Sequence, residues 1–499
     1  MPQVTITEEG VDKLLQGLNP NKASGPDQIS PRLLKELHSE VTPILTHIFQ
    51  LSLTTGIVPD DWRHATVAPV YKKGPKYKPS NYRPISLTCI ASKMMEHILV
   101  SNIMSFFDEH NILSPYQHGF RSKHSCETQL ISFSQEVHDN LEDGQQTDII
   151  VMDFSKAFDK VDHHKLTLKL NRLGINNEVT NWVHSFLNSR TQQVVVDGHT
   201  SDNLPVLSGV PQGSVLGPCL FLSYINDLPD SVKSKVRLFA DDTIVYLTIS
   251  STRDAQTLQK DLELLETWEK DWSMEFNPDK CEVLSISRKR KPIIFPYKLH
   301  NIPLKFADAA KYLGVTISKN LTWTNHINNV TSKAKNSLRF IQRNVRTTNQ
   351  KVKETAYKTY VRPQLEYCSV VWHPWQKYLI YQIEQVQRSA ARYVFYDYDR
   401  YSSVSKMLTQ LQWQTLEQRR NINAVTMLYK IQNNLVNVDH HHLTHTRNLN
   451  YLRPHSRTLY HQHSFFPRTI RLWNSLPLHV QSSSTLNIFT ERLDPFYKF

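Results

Sequence analysis

Apolar positions between residues 8 and 55 recur at helical spacing in two short stretches, separated by Asn19-Pro20-Asn21-Lys22-Ala23-Ser24-Gly25-Pro26-Asp27, a run dense in turn formers. Ser30 and Pro31 read as the cap and first residue of the second helix. Thr66 to Tyr71 predicts a strand that runs into the basic loop Lys72 to Lys78, and Asn81 to Leu87 opens a helix continued by Met94, Ile98 and Met104. Ile149-Ile150-Val151-Met152 is a short apolar run of the kind found in strands buried on both faces, and it ends in Asp153. Residues 162 to 190 are helical by spacing, and Gln192 to Val196 with Asn203 to Leu207 predicts a strand pair around Asp197-Gly198. Leu262, Leu265, Trp268 and Trp272 mark a further helix that stops near Asn277-Pro278. Beyond residue 320 the texture changes to long helices. In Trp323 to Arg346, Ile327, Val330, Ala334, Leu338, Ile341 and Val345 make one apolar stripe, while Lys333, Lys335, Arg339, Arg343 and Arg346 occupy the rest and no acid interrupts.

One stretch joins this patterning to chemistry. Val236-Arg237-Leu238-Phe239-Ala240-Asp241-Asp242-Thr243-Ile244-Val245-Tyr246 reads strand, tight turn, strand. Two adjacent carboxylates at the tip of a hairpin with apolar arms are poorly placed unless a cation binds there. Asp153, at the end of its own apolar strand, supplies a third carboxylate. Mg²⁺ prefers carboxylate oxygens and substrate phosphates, and a pair of such ions stabilises the attacking and leaving oxygens of an in-line phosphoryl transfer. A lone Asp-Asp is more often an ordinary turn, so the surrounding segments decide between the two readings.

Composition narrows the partners. The 499 residues suffice for two to three domains, and a formal net charge of +12 with an isoelectric point near 9.2 suits a protein that meets a polyanion, although a mitochondrial or merely basic protein shares that balance. Cys89, Cys126, Cys219, Cys281 and Cys368 are scattered, which suggests neither a disulfide framework nor a zinc ribbon. The N-terminus lacks a signal-peptide pattern, and no segment is apolar over the roughly 18 residues a membrane span needs. An intracellular chain with no membrane partner is expected, in the nucleus, the cytoplasm or both. Arg288-Lys289-Arg290-Lys291 serves equally as a nuclear signal or a surface loop. Asp439-His440-His441-His442-Leu443-Thr444-His445 lacks paired Cys or a regular His spacing and reads as a polar loop rather than a zinc site.

Ile150-Val151-Met152-Asp153-Phe154-Ser155-Lys156-Ala157-Phe158-Asp159, then Ser208-Gly209-Val210-Pro211-Gln212-Gly213-Ser214-Val215-Leu216-Gly217-Pro218, then Phe239-Ala240-Asp241-Asp242 resemble, in that order, the palm motifs of reverse transcriptases. Tyr82 to Leu87 and Gln117-His118-Gly119-Phe120-Arg121 resemble the fingers motifs of the non-LTR retrotransposon branch (LINE and jockey-like), and Tyr312-Leu313-Gly314-Val315 its primer grip. Phe466 to Pro477 resembles a segment common near the C-termini of these polymerases.

The resemblance implies an α+β right-hand polymerase, with an N-terminal extension and fingers over 1–145. Palm, inserted finger elements and primer grip would occupy 146–319, a helical thumb 320–400, and an extra helical C-terminal region 401–499. Asp153, Asp241 and Asp242 would hold two Mg²⁺ ions, with Mn²⁺ as a substitute and the Phe154 carbonyl as a further ligand. Phe158 would be the aromatic wall that rejects a ribose 2′-hydroxyl, and Gln212 and Gly213 would meet the incoming nucleotide in a glycine-rich loop that lets a base pair or sugar approach the backbone. Lys72 or Lys73 and Arg83 would grip the triphosphate, and Lys280 would protonate the leaving pyrophosphate. Tyr312, Leu313 and Gly314, with the basic helix carrying Lys333, Lys335, Arg339, Arg343 and Arg346, would track primer and template. The implied partners are an RNA template, a DNA primer or target and deoxynucleoside triphosphates. The family usually carries an endonuclease ahead of these fingers, where this chain has no room for one, so the expectation is a truncated reading frame, a fragment of a larger product, or a polymerase whose nick is supplied elsewhere. A remnant that binds nucleic acid without polymerising is the competing expectation.

Overall fold

Side-chain caps start the first helices. In the computed structural model, which describes residues 1–446 and 449–496, the Thr7 hydroxyl accepts from the Gly10 amide ahead of the helix Glu8–Gln16, and Ser30 accepts from Leu33 ahead of Pro31–Glu36. A third helix, His38–Thr55, follows at once, where the pattern suggested two in all. The reset at Leu37 has a tertiary cause: His38 Nδ1 lies 2.6 Å from the Asp12 carboxylate on the first helix, and Thr42 also reaches it.

In chain order the strands are β1 (His64–Tyr71), β2 (Tyr82–Leu87), β3 (Gln146–Asp153), β4 (Thr191–Val196), β5 (His199–Thr200), β6 (Leu204–Pro205), β7 (Lys235–Phe239), β8 (Asp242–Ile249), β9 (Glu282–Ile286), β10 (Lys298–Leu299), β11 (Ile302–Pro303), β12 (Lys305–Phe306), β13 (Ala309–Tyr312) and β14 (Val315–Ser318). They belong to two compact units. The first comprises Met1–Phe120, Asp153–Lys233 and Asp261–Asn277, and the second Arg121–Met152, Ser234–Lys260 and Pro278–Phe499.

In the first unit the sheet runs β2-β1-β4-β5, with β6 also on β4; β1 pairs antiparallel with β2 and parallel with β4. Residues 82–87, expected to open a helix, are therefore a strand, and the helix begins later, at Ile90, and runs to Glu109. Pro84 sits in the edge strand β2, where a missing amide donor is tolerated. The expected helix over 162–190 is split into His163–Arg172 and Asn177–Leu187: Gly174, at φ 81, stops one, and Asn176, accepting from Val179, caps the next. The helix through Leu262 ends at Trp272, ahead of Asn277-Pro278, and Ser273 turns the chain at φ 54.

In the second unit the sheet runs β12-β9-β3-β8-β7. Its β3–β9 and β7–β8 pairs are antiparallel, while the edge pair β12–β9 is parallel. Ile149, Ile150 and Met152 of β3 are buried, as its unbroken apolar run predicts. One apolar cluster extends from Leu130 and Phe133 on the helix Cys126–Glu142, through Tyr312 and Ile327, to Trp473 and Leu493. Among the described residues no helix is long and apolar enough to cross a membrane.

Candidate active site

The β7–β8 ladder closes with Phe239 opposite Asp242, leaving Ala240 and Asp241 as a two-residue turn. Ala240 lies at φ 53, a left-handed conformation that costs a non-glycine residue about 1 kcal/mol. Strain of this kind persists where the surroundings impose it, commonly at functional turns. The turn presents Asp241 and Asp242 to solvent while Thr243 to Tyr246 behind them are buried. Strand β3, next to β8 in the sheet order, has Asp153 as its last residue. Lys280 is exposed in the 3₁₀ turn Pro278–Lys280, two residues ahead of Glu282, which pairs with Val151 of β3.

Residues the motifs do not contain hold this hairpin from behind. The buried Gln129 side chain donates to the Leu238 carbonyl at 3.3 Å and to the Tyr312 hydroxyl at 3.1 Å, joining the acidic hairpin to the strand β13. Glu136 on the same helix accepts from the Tyr246 hydroxyl at 2.7 Å and from Arg237 at 3.1 Å. Burial pushes the Tyr312 phenol well above its ordinary pKa; its bond with Gln129 opposes that shift and the Asp242 carboxylate adds to it, so the hydroxyl stays protonated. Gln129 and Glu136 carry no local sequence signal beyond a place on an amphipathic helix.

Leu313 and Gly314 form the turn between β13 and β14, both at positive φ (45 and 81), as a tight hairpin turn requires. Tyr312 and Leu313 are buried, whereas Gly314 is exposed, so the turn shows solvent backbone rather than side chains. Tyr367 backs the turn: its hydroxyl donates to the Leu313 carbonyl at 3.0 Å, and a Cβ on Gly314 would stand 2.9 Å from its ring. On the helix Thr324–Asn344, Ile327, Ala334, Leu338 and Ile341 are buried, and Lys333, Lys335, Arg339 and Arg343 are exposed, as is Arg346 just beyond.

The nucleotide residues named from the sequence lie in the first unit, and several are brought together there. Arg83 pairs with Val70 across β1–β2, and the alternation of β1 carried on past Tyr71 puts Lys72, rather than Lys73, on the same face as Arg83; both are exposed. Phe158 is half-buried, its ring stacked on Phe221 at 4.5 Å. Its carbonyl accepts from the Val210 amide at 2.8 Å, and the Gln212 side chain donates to the Asp159 carboxylate at 3.1 Å, so the Phe158 turn and the Gln212 loop are laced together. The Gln212 carbonyl in turn accepts from the Ser86 amide of β2 at 2.7 Å. Phe154 is buried against Phe276, 4.1 Å away, where the two residues also form a β-bridge.

The glycines of this loop also meet a constraint set by the protein itself. A Cβ on Gly209 would lie 2.7 Å from the Asp159 Cα, one on Gly213 2.9 Å from the Ser86 carbonyl oxygen, and one on Gly217 2.8 Å from the Pro211 carbonyl oxygen. Their missing side chains make room for the protein's own backbone, so the loop packs against β2 and the Phe158 turn. Glu96, fully buried on the helix Ile90–Glu109, completes the support: its Oε2 accepts from the Val215 and Leu216 amides at 2.8 and 2.9 Å, at the start of the helix Leu216–Ile225. Burial raises its pKa, against the pull of these amides and the Arg190 guanidinium. A cavity of about 400 Å³ opens beside the loop, lined by Ser86, Asp159, Arg190 and Gln212.

Residues 70–317 match the family described as reverse transcriptase (RNA-dependent DNA polymerase). The chain is also 31% identical over 385 residues to the RNA-directed DNA polymerase from mobile element jockey of Drosophila melanogaster, an alignment covering 74% of this chain and 41% of that protein. Residues 70–317 are a reverse transcriptase domain of the non-LTR retrotransposon kind. In the same fly the probable RNA-directed DNA polymerases from transposon BS and from transposon X-element are 29% and 28% identical, over 79% and 75% of this chain and 45% and 42% of their own length. The matched part of the chain thus spans less than half the length of these relatives.

Proposed function

We propose that this chain is an RNA-directed DNA polymerase that extends a DNA primer 3′-hydroxyl with deoxynucleoside triphosphates on an RNA template. The observation that carries the reading is the strained Ala240 turn, which displays Asp241 and Asp242 at the head of β8, whose sheet neighbour β3 ends in Asp153, within a matched reverse transcriptase domain. Its architecture would be the right hand, with fingers, palm and thumb over the ranges given above and the basic helix tracking the duplex backbone.

The three carboxylates are the donor set that hard divalent ions prefer, so Asp153, Asp241 and Asp242 would hold two Mg²⁺, or Mn²⁺ in their place, with the Phe154 carbonyl as a further ligand. Bound there, the ions supply Lewis-acid stabilisation of the attacking and leaving oxygens. The chain's own residues do the rest. Lys72 and Arg83 take the triphosphate, Phe158 and Gln212 seat the sugar and base, and Lys280 delivers a proton to the departing pyrophosphate. Gly314 and the exposed bases from Lys333 to Arg346 hold the primer and template.

The test is extension of a labelled DNA primer on RNA with Mg²⁺, comparing wild type with Asp241→Asn. We expect extension to collapse by about a hundredfold to a thousandfold, the scale of losing one preorganised charge-stabilising group, while primer-template affinity falls little. Equal extension in both, or none by well-folded wild type, would overturn the reading, the second outcome leaving a nucleic-acid-binding remnant.

A further inference from the structure

The histidine run that reads as a polar loop folds back, within the second unit, onto Asp139 of the helix Cys126–Glu142. One ligand atom each from Asp139, His441 and His442 lie within 4.8 Å of one another. Asp139 Oδ2 is 3.3 Å from His442 Nε2, and the rings of His441 and His442 have centroids 3.9 Å apart. Around tetrahedral zinc with bonds of about 2.0 to 2.1 Å, neighbouring donors stand roughly 3.3 to 3.4 Å apart. The Asp139–His442 edge already has that length, and the third donor stands within 4.8 Å of both.

The surroundings are those of metal-ligating imidazoles, which generally hold their second nitrogen on a carboxylate or other polar group. His441 Nδ1 lies 2.9 Å from Asp439 Oδ2, which leaves Nε2 as the donor nitrogen. The other Asp139 oxygen is 3.0 Å from the buried His461 Nε2, and His461 Nδ1 is 2.8 Å from the Ser456 hydroxyl. The His442 ring packs 4.7 Å from that of the buried Phe466, which gives the cluster one apolar wall.

We propose that Asp139, His441 and His442 bind a Zn²⁺ ion, with Asp439 and His461 orienting the ligands and a water in the fourth position. Two imidazoles and one carboxylate select zinc over the Mg²⁺ that all-oxygen sites take. The ion fastens the 439–445 loop to the helix that carries Gln129 and Glu136.

The full chain, dialysed against Zn²⁺ and then against metal-free buffer, is expected to retain about one equivalent by elemental analysis. Asp241→Asn should retain it too, and His441→Ala/His442→Ala should lose it. Co²⁺ put in place of zinc should give the visible d–d absorption of a four- or five-coordinate ion. Asp439→Ala, at an exposed position where folding is not at issue, should weaken zinc binding roughly tenfold to a hundredfold. Zinc content equal in wild type and the double histidine variant overturns the proposal, as does a wild-type Co²⁺ spectrum without those bands. Neither outcome depends on polymerase activity.

Discussion

Two residues in the first unit carry sharp consequences for the proposed polymerase site. Gly213 stands at φ 107, and any Cβ there would lie 2.9 Å from the Ser86 carbonyl oxygen. Gly213→Ala is expected to cost about 1–3 kcal/mol in denaturant unfolding, through both the forbidden backbone angle and the displaced Gln212–Ser86 bond. It should also raise the KM for deoxynucleotides. An unfolding midpoint equal to wild type would show that the loop packs otherwise. Phe158 is held by its stack on Phe221, so Phe158→Val keeps part of the filling but removes the flat wall. The ratio of kcat/KM for deoxynucleotides to that for ribonucleotides should fall by about tenfold or more; an unchanged ratio would show that Phe158 serves only to pack against Phe221.

Among the elements, the basic helix Thr324–Asn344 separates binding from folding. Its apolar stripe is buried and its cations are exposed, so replacing Lys333, Lys335, Arg339 and Arg343 by Gln should leave the helical circular dichroism unchanged. The slope of log affinity against log salt for primer-template should shrink by about one for each phosphate the helix no longer neutralises. No change in slope would mark a merely solvated face. Glu96 makes the reverse case, an internal group with no ligand of its own. Its folded pKa is raised, so the folded chain holds this proton more tightly than the unfolded one. That contribution is complete below the ordinary value of 4.5 and is lost as pH rises through the raised value. Stability of Glu96→Gln should therefore decline less than wild type as pH climbs above 4.5, whereas Glu96→Ala, which strips two amides of their acceptor, should cost about 2–4 kcal/mol at any pH. Parallel stability-pH curves for wild type and Glu96→Gln would refute the assignment.

Across the whole chain, what could be read in advance was what neighbouring residues decide. The β7–β8 hairpin, the apolar run of β3, the Ser30 cap and the striped basic helix all follow from local periodicity and turn chemistry, and all were legible. Tyr82–Leu87 was not, because strand pairing with β1 outweighs the helical spacing that follows it. The glycines at 209, 213 and 217 were visible as a loop, but the backbone that 209 and 213 make room for comes from residues distant in sequence. Gln129, Glu136 and Glu96 were invisible for the same reason: a polar side chain on a helix looks solvated until the hairpin or helix end it serves is in place.

The bond from Tyr367 to the β13–β14 turn has a mechanical side. A hydroxyl held on the Leu313 carbonyl and a ring with no clearance over Gly314 form a linkage without slack. A residue 54 positions further along the chain thus fixes where the turn sits against its own segment. A Cβ introduced by Gly314→Ala would press on that ring, so either the turn or Tyr367 would have to give way.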